Sequence, residues 1–390
     1  MSFLKSVSDS LKNVASQAMK MQPEITREKI EDALRVVVDP DLHKDIVSLG
    51  FLKDVKIEGH NISVEVELTT PACPVKELLK NQCEEALKAL SPQGTIQVTM
   101  TARPMQSPLN AASANKNPSL ASVSRILAVA SGKGGVGKST TAVNLAYALS
   151  ANGARVGIMD ADVYGPSVQL MTKVGEPTKM TADNFVVPPE VDGIKVISVA
   201  MFASAGKASI LRGPMAAQII KQFMTQIAWG ELDYLIIDYP PGTGDIQLTI
   251  SQLAPLSGAV IVTTPQEVAL IDVRRAISMF ETLKVPVLGV IETMSYFVCD
   301  GCEKKHHIFR SGGGRRVAGE YGLPILGEIP LEEAVATGGD DGAPIVKLKP
   351  ESQTAKAYQS AAGSAASQLS ILEANDQGAL SSFSLTWRTM

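Results

Sequence analysis

A glycine-rich segment with two lysines, SGKGGVGKSTT, runs from Ser131 to Thr141 and constrains the fold more than any other part of the chain. It follows an apolar run typical of a strand, Ile126–Ala130, and precedes a stretch typical of a helix, Thr140–Ser150. This is the strand–loop–helix context of a G-x-x-x-x-G-K-[ST] phosphate loop. In such a loop, backbone N–H groups and the helix N-terminus surround phosphate oxygens.

The polar residues of this loop predict a nucleotide site. We expect Lys138 to reach the β- and γ-phosphates and act in catalysis, and Ser139 to be a ligand of Mg²⁺. The residues predicted to bind the nucleotide are Gly132, Lys133, Gly134, Gly135, Val136, Gly137, Lys138, Ser139 and Thr140.

Short β-rich apolar runs recur between Arg125 and about Leu348, and helical stretches separate most of them. Because these runs lack strict alternation, they indicate strands buried on both faces of a parallel sheet. The chain is therefore predicted to be an α/β protein, a P-loop NTPase with a mostly parallel sheet covered by helices on both faces. The predicted strands are Ile126–Ala130, Val156–Met159, Lys195–Val199, Tyr234–Ile237, Ala259–Val262, Val287–Ile291 and Ile325–Ile329.

The chain is expected to divide into five parts. They are an N-terminal helix or extension (1–22), a small α+β domain (24–103), a linker rich in Pro, Ser and Asn (104–124), the P-loop ATPase domain (125–350) and a C-terminal tail (351–390) with a helix candidate and an apolar end, Phe383–Trp387. The elements predicted in the small domain are a helix over Arg27–Val38, strands over Leu52–Ile57 and Ile62–Leu68, a helix over Pro74–Leu90 and a strand over Thr95–Thr101.

Carboxylates follow two of the predicted strands of the large domain. Asp160 and Asp162 come after one strand, and Asp238 follows Tyr234–Ile237. Since ligands bind at the carboxyl ends of parallel strands, these side chains are expected in the nucleotide crevice. We predict that Asp238 holds Mg²⁺ and that Asp162 orients or deprotonates the attacking water. Asp160 is expected to support the outer shell of the metal. Gly242 is expected to sense the γ-phosphate through its backbone N–H.

Two of the four cysteines, Cys299 and Cys302, form a C-x-x-C pair. One pair supplies two metal ligands, whereas a zinc site or an iron–sulfur cluster normally takes four. Two copies of the pair across a dimer axis would supply four thiolates for a cluster. The alternatives are a zinc site completed by His306 and His307, and a thiol redox pair.

Composition excludes several classes of protein. The net charge of −4, from 36 Lys+Arg and 40 Asp+Glu, disfavours nucleic acid as a partner. No run of about 18 uncharged apolar residues is present, so stable membrane insertion is not expected. We predict a cytoplasmic protein, with an organelle matrix or stroma as the alternative, and residues 1–22 leave a membrane-surface helix open.

The early lysine of the glycine-rich loop, Lys133, makes the segment resemble the deviant Walker A loop of the nitrogenase iron protein, MinD and ParA class. In that class the early lysine contacts the nucleotide phosphates of the partner subunit. The resemblance therefore implies a catalytic role for Lys133 across a nucleotide-sandwich homodimer.

Further motifs resemble the Mrp/ApbC family, P-loop ATPases that carry iron–sulfur clusters and deliver them to apoproteins. The matching motifs are DADVYGPS (160–167), LRGPM (211–215), PPGTGD (240–245), MSYFVCDGC (294–302) and the glycines 312–314, with DPDLHKDIVSLG (39–50) and TTPACP (69–74) resembling a small iron–sulfur assembly domain often fused before it. The resemblance implies ATP and Mg²⁺ as cofactors and a four-iron cluster held by Cys299 and Cys302 across the dimer.

Three further residues have separate expectations, two of them from this resemblance. Thr293 stands where the family usually has an Asn associated with adenine recognition, and the resemblance implies that Thr293 contributes to nucleotide binding. Because a threonine lacks the paired donor and acceptor of an amide, adenine preference is less firmly implied than phosphate binding. Cys73 lies just before a predicted helix, where the helix dipole favours a thiolate, and the resemblance implicates it in cluster handling. Cys83 lies on the apolar face of the same helix and is expected in the core.

The expected function is thus a slow, switch-like ATPase that carries an iron–sulfur cluster, receives it from an iron–sulfur scaffold and passes it to apoproteins. One rival is a positioning ATPase resembling ParA or MinD that acts on a membrane or on DNA. The other is a zinc-stabilised scaffold.

Overall fold

The computed structural model describes residues 25–71, 73–102, 117–177, 179–202 and 213–381, with the backbone alone at 213–215 and 376–381. The predicted N-terminal helix (1–22), most of the linker (104–124) and the apolar end of the tail lie outside the described residues. The described residues form two compact units. Those up to 67 and from 75 to 101 form one, and those from 68 to 74 and from 102 onward form the other. The predicted domain limits stay predictions.

The first unit is built on a three-stranded sheet within the described residues. Its elements are α1 (Arg27–Leu34), β1 (Val38–Asp39), β2 (Lys44–Asp45), β3 (Leu52–Glu58), β4 (Asn61–Leu68), α2 (Lys76–Leu90) and β5 (Ile96–Ala102). The sheet has the order β3–β4–β5, and β3 runs antiparallel to β4. Ile62, Val64 and Val66 of β4 are buried at alternate positions, as the sequence predicts.

The first helix is shorter than predicted. It ends at Leu34, and Val38 instead begins β1, which pairs with β2. Three successive β-branched valines follow the helix and lose side-chain freedom in helical backbone. Asp39 precedes Pro40, which also disfavours a helical conformation at that residue. The prediction of a helix to Val38 was therefore wrong by four residues.

The second unit contains the long sheet. Its elements are β6 (Val123–Ser131), α3 (Lys138–Ala151), β7 (Val156–Asp160), α4 (Val168–Thr172), β8 (Glu190–Val191), β9 (Ile194–Ser198), α5 (Gly213–Thr225), β10 (Leu232–Asp238), α6 (Asp245–Leu253), β11 (Gly258–Thr263), α7 (Glu267–Thr282), β12 (Val287–Glu292), β13 (Phe297–Val298), β14 (Lys305–His306), α8 (Gly313–Glu320), β15 (Ile325–Glu328), α9 (Glu333–Asp341), α10 (Ile345–Leu348) and α11 (Gln353–Ser381).

Eight strands of the described residues form this sheet in the order β15–β12–β11–β6–β10–β7–β9–β8. All neighbours are parallel except β8, which is antiparallel to β9. Every residue of β7, β10 and β11 is buried, which explains why their sequences do not alternate. All seven predicted strands are present with ends shifted by at most three residues, and the predicted fold class is confirmed.

The carboxyl edge of this sheet is lined with polar residues. Six parallel strands each end on a buried polar side chain, although the strands themselves are apolar. These residues are Ser131, Asp160, Ser198, Asp238, Thr263 and Glu292. Since burying polar groups costs free energy unless they find partners, this edge is where a functional site is expected.

The helix predicted in the tail is α11, and it packs on α3 and β15. Its buried side chains are small, apart from Tyr358, Leu369 and Glu373. A Cβ on Gly327 of β15 would lie 2.9 Å from the Cβ of Ala361, so glycine and alanine allow the close approach of helix and strand. In the described part of the chain, no helix combines the length and hydropathy needed to cross a membrane.

Candidate functional site

The glycine-rich loop connects β6 to α3 at the carboxyl edge of the sheet. Gly135 and Gly137 have φ of +79° and +81°, a backbone region that favours glycine. A Cβ on Gly134 or Gly135 would meet no described atom within 4 Å, so the loop is open beside these two residues. Gly132 is different, because a Cβ there would lie 2.2 Å from the backbone of Asp272 in α7. Packing against α7 requires the first glycine.

Lys138, the first residue of α3, is buried among carboxylates. Its ammonium lies 2.5 Å from Asp238 Oδ1 and 3.5 Å from Asp162 Oδ2, and it donates to Ser139 Oγ at 3.3 Å. The structure thus brings together four of the residues predicted to act on nucleotide and Mg²⁺. A bound phosphate would compete with the two carboxylates for this ammonium.

One of the two carboxylate oxygens of Asp238 has no hydrogen-bond partner among the described residues. Oδ2 is buried and accepts no hydrogen bond within the described residues. Burial raises the pKa of Asp238, and the Lys138 ammonium opposes that shift. An orphaned carboxylate oxygen beside the Ser139 hydroxyl fits a hard, oxygen-binding cation such as Mg²⁺ or one of its bound waters.

Asp160 is fully engaged by the loop that follows it. Oδ2 accepts from the N–H groups of Ser167 and Val168 and from the Ser198 hydroxyl, and Oδ1 accepts from the N–H of Asp162. Burial and the charge of Asp238 raise the pKa of Asp160, and these donors oppose the shift. Asp160 therefore fixes the loop that carries Asp162, and its expected support of the metal's outer shell stays a prediction.

The predicted phosphate contacts of Lys133 and Gly242 are not tested by the positions of these two residues. Lys133 is exposed, and the Ser131 hydroxyl donates to its carbonyl at 3.0 Å. Gly242 has φ of +90°, and its N–H donates to the Ser131 carbonyl at 3.4 Å, a long hydrogen bond. The roles of Lys133 towards a partner subunit and of Gly242 towards a γ-phosphate stay predictions.

Thr293 is bound to the glycine-rich loop. Its hydroxyl is 2.6 Å from the Val136 carbonyl and 3.0 Å from the Thr263 carbonyl, and its N–H donates to the same Thr263 oxygen at 2.8 Å. The single hydroxyl hydrogen is thereby engaged inside the protein. Its expected contact with the adenine base stays a prediction, and the tie to Val136 was not foreseen from the sequence.

Cys299 and Cys302 lie at the tip of a small hairpin formed by β13 and β14. The Cys299 N–H donates to the Lys304 carbonyl at 3.1 Å, which closes the tip. Hydrogen bonds from the backbone N–H groups of Gly301 and Cys302, and then from the Cys302 thiol, lower the pKa of the Cys299 thiol. The Cys302 side chain is exposed. The hairpin thus offers a surface-accessible pair in which one thiolate is favoured.

The two histidines of the hairpin do not complete a metal site with these cysteines. His307 Nδ1 lies 3.1 Å from the Ser295 carbonyl, and because a carbonyl only accepts, the nitrogen carries the proton. Among the described residues, no three His, Cys, Asp or Glu side chains are grouped to hold a metal ion. The alternative of a zinc site from Cys299, Cys302, His306 and His307 within one chain is therefore not formed in this structure.

Glu292, at the end of β12, was not foreseen as a site residue. Its Oε1 accepts from the Ser295 hydroxyl at 2.6 Å, and its Oε2 accepts from the Gly314 N–H at 2.5 Å. A carboxylate at a helix N-terminus is stabilised by the helix dipole. Glu292 thus joins the strand that leads into the cysteine hairpin to α8, which follows the hairpin. The signal available in the sequence was an acidic residue directly after an apolar run typical of a buried strand.

The loop that carries Cys73 belongs to the second unit. The Arg125 guanidinium donates to the Thr69 carbonyl at 3.0 Å and to the Tyr234 hydroxyl at 2.8 Å. Arg125 lies near the amino end of β6, so the loop is anchored at the sheet edge opposite the phosphate loop. A part in cluster handling for Cys73 stays a prediction. Cys83, by contrast, is fully buried in α2, as expected.

Comparison with known families decides what class of protein carries this site. The NUBPL iron-transfer P-loop NTPase family matches residues 122–366, more than half of the chain. The chain belongs to this family. A second family, described as iron–sulfur cluster assembly protein, matches residues 27–100 of this NUBPL-type NTPase. The resemblance inferred from the motifs is confirmed.

Relatives of this NUBPL-type NTPase match most of its length. The iron–sulfur cluster carrier protein of Deinococcus radiodurans is 47% identical over 341 residues, which cover 87% of this chain and 94% of that protein. A chloroplastic Fe–S cluster assembly factor of Arabidopsis thaliana is 47% identical over 335 residues, covering 84% of this chain and 61% of that protein. Among solved structures, a nucleotide-binding protein from Archaeoglobus fulgidus in complex with ADP covers 58% of this chain and 89% of its own, at 39% identity and a TM-score of 0.51.

Proposed function

We propose that this chain is an ATP-dependent iron–sulfur cluster carrier. Two copies would hold one four-iron cluster between their Cys299 and Cys302 pairs and pass it to apoproteins. The observation that carries the proposal is the cysteine hairpin, in which exposed Cys302 and half-buried Cys299 lie on a chain segment that continues directly from β12 of the nucleotide-binding sheet. The names of the relatives, which are cluster carrier and assembly proteins, support the same reading.

Ligand number supports a shared cluster. A four-iron cluster takes four cysteine thiolates. The hairpin supplies two, and no third metal-binding side chain joins them within the described residues. The lowered pKa of Cys299 favours the thiolate that binds iron. A second copy of the same hairpin is the simplest source of the other two ligands, and it makes the homodimer part of the proposal.

The nucleotide side of the proposal rests on the residues around Lys138. When ATP is bound, the open loop would surround the phosphates, and Lys138 would exchange its carboxylate partners for phosphate oxygens. Ser139 and Asp238 would hold Mg²⁺, which neutralises phosphate charge, and Asp162 would orient the attacking water. Lys133, exposed on the loop, would reach the phosphates of the partner copy. The ADP complex of the Archaeoglobus relative favours an adenine nucleotide.

The decisive experiment is anaerobic reconstitution of the full chain, with iron and sulfide quantified per dimer. The wild-type chain is expected to hold about four of each per dimer, with the visible absorption of a four-iron cluster. Cys299→Ala and Cys302→Ala are expected to lose both iron and sulfide. Cys83→Ala, which removes a buried thiol of α2, is the matched control and should retain the cluster. Wild-type loading in the two hairpin variants would reject the carrier function.

Delivery needs its own measurement. A loaded carrier should restore activity to an apo form of a four-iron enzyme faster than free iron and sulfide do, and Cys299→Ala should not. An iron–sulfur scaffold is the proposed donor, and the cytoplasm the proposed location. An organelle stroma is the alternative that the chloroplastic relative supports.

A further inference from the structure

The contact between Thr293 and the glycine-rich loop has a consequence for how nucleotide could act on the cluster. The Val136 carbonyl, which accepts the Thr293 hydroxyl, and the Gly137 N–H belong to one planar peptide unit. Turning the Gly137 N–H towards or away from a phosphate therefore turns the oxygen that Thr293 holds. Rotation of this peptide changes φ of Gly137, which is +81°, and glycine has the widest range of φ at little steric cost.

Thr293 is also the start of a short, restrained path to the cysteines. The segment leaves β12 and is hydrogen-bonded to the chain after β15 on its way to Cys299. The Ser295 N–H donates to the Ile329 carbonyl at 3.0 Å, and the Leu331 N–H donates to the Tyr296 carbonyl at 2.7 Å. Because these bonds restrain the segment, a displacement at Thr293 is not absorbed by a loose loop.

The hairpin returns to the same segment. The imidazole of His307, just after β14, donates to the Ser295 carbonyl at 3.1 Å, two residues from Thr293. Phe297 at the base of the hairpin bridges to Leu331. The first arm of the hairpin thus continues from residues 293–296 and is paired with Leu331, the second arm is tied back to Ser295 through His307, and the cysteines lie between the two arms.

We propose that Thr293 is a positioning residue that couples the phosphate loop to the cysteine hairpin, so that bound nucleotide changes how tightly the cluster is held. The inference rests on the proposed carrier function and adds its regulation. Its physical content is one hydrogen bond, from the Thr293 hydroxyl to the Val136 carbonyl, followed by about six residues of restrained backbone. If Thr293 served only to fill space, its hydroxyl group would have no part in the coupling.

The test compares Thr293→Val, which keeps the shape and loses the donor, with Thr293→Ser, which keeps the donor. Full chains are loaded with cluster anaerobically, and the rate of iron release to a ferrous chelator is measured per cluster without nucleotide and with MgATP. MgATP is titrated to saturation for each variant, so that a change in nucleotide affinity does not enter the ratio of the two rates.

Couplings between sites typically change affinities by about 5-fold or more, so MgATP should alter the wild-type release rate by about 5-fold. Thr293→Ser should keep that ratio, and Thr293→Val should bring it close to one. The role of the hydroxyl would be overturned if MgATP changed the release rate of Thr293→Val as much as that of the wild type. It would also be overturned if MgATP no longer changed the release rate of Thr293→Ser. A loaded wild-type chain that ignores MgATP rejects the coupling but leaves the carrier function standing, whereas a wild type that binds no cluster rejects the carrier function itself.

A second measurement does not depend on the folding of a variant. Amide hydrogen exchange of the loaded wild-type chain, with and without MgATP, should change at residues 297–306 as well as at the phosphate loop. An exchange pattern that changes at the loop and stays constant at 297–306 would overturn the coupling.

Discussion

The Lys138 ammonium and the Asp238 carboxylate form a buried ion pair at 2.5 Å, in the position where the sequence predicts nucleotide phosphate and Mg²⁺. Asp238 is fully buried and Lys138 is 6% exposed. A buried carboxylate without its cation is costly, so the Lys138 ammonium offsets part of the cost of burying Asp238.

The two lysines of the phosphate loop should therefore differ when they are changed. Lys138→Ala removes the buried cation and should abolish nucleotide binding, because its ammonium lies inside the site. Lys133→Ala should keep binding within about 10-fold and lose nucleotide-dependent dimer formation and hydrolysis. Fluorescent-ATP titration measures binding, sedimentation velocity measures the dimer, and phosphate release measures hydrolysis. Equal losses of binding in both variants would contradict the separate roles.

A second buried ion pair is expected to contribute to the free energy of unfolding of the second unit. Arg125 and Glu373 form a two-fold hydrogen-bonded pair at 3.0 and 2.6 Å, and the arginine is fully buried. Glu373→Gln should lower the free energy of unfolding by about 3 kcal/mol, because it leaves a buried guanidinium without a counter-charge. This pair fixes α11 to β6.

The matched control for that prediction is Arg315 with Glu328, a pair of the same geometry at 2.7 Å on the surface. Glu328→Gln should cost less than about 1 kcal/mol. Urea unfolding followed by the fluorescence of buried Trp229, in a Trp387→Phe background, reports on the large unit. Similar losses in the two variants would show that burial does not decide the strength of the Arg125 pair.

These two pairs also mark the limit of what the sequence could reveal. The phosphate loop and the strands are encoded within a few neighbouring residues, by glycines, periodicity and apolar runs, and they were predicted. Arg125 and Glu373 are 248 residues apart, and Thr293 is 157 residues from Val136. No local pattern connects such partners, since only the folded sheet brings them together. The early end of α1 was a different failure, in which the valine run and Pro40 outweighed helical periodicity.

Alkaline pH provides a test in the small unit. Burial raises the pKa of the Cys83 thiol to about 12, against about 8.5 for a thiol in the unfolded chain. Above about pH 9 the unfolded chain has lost a proton that the folded chain keeps, so the free energy of unfolding falls as pH rises. The loss should approach roughly 2 kcal/mol near pH 10, and Cys83→Ala should remove this slope.

The same burial should protect Cys83 from reagents. At about pH 9, iodoacetamide should modify exposed Cys302 in the folded apo chain and leave Cys83 unmodified, as mass spectrometry of the peptides would show. Modification of both at similar rates would contradict a buried thiol with a raised pKa.

Two glycines of α8 should respond to alanine in opposite directions. A Cβ on Gly313 would lie 2.3 Å from the Pro265 carbonyl oxygen, whereas a Cβ on Gly319 would meet no described atom within 4 Å. Gly319→Ala should raise the free energy of unfolding by about 0.5–1 kcal/mol, because alanine restricts the unfolded chain and favours the helix. Gly313→Ala should lower it by about 1–3 kcal/mol, since the backbone must move to admit the methyl group.

That movement would reach the cluster site, because the Gly314 N–H donates to Glu292, the residue before Thr293. Gly313→Ala should therefore also lower the amount of cluster retained after anaerobic gel filtration, and Gly319→Ala should leave it unchanged. The Trp229 unfolding curve and the iron content are measured on the same preparations. A loss of stability in Gly313→Ala with full cluster retention would show that α8 supports the fold and has no part in holding the hairpin.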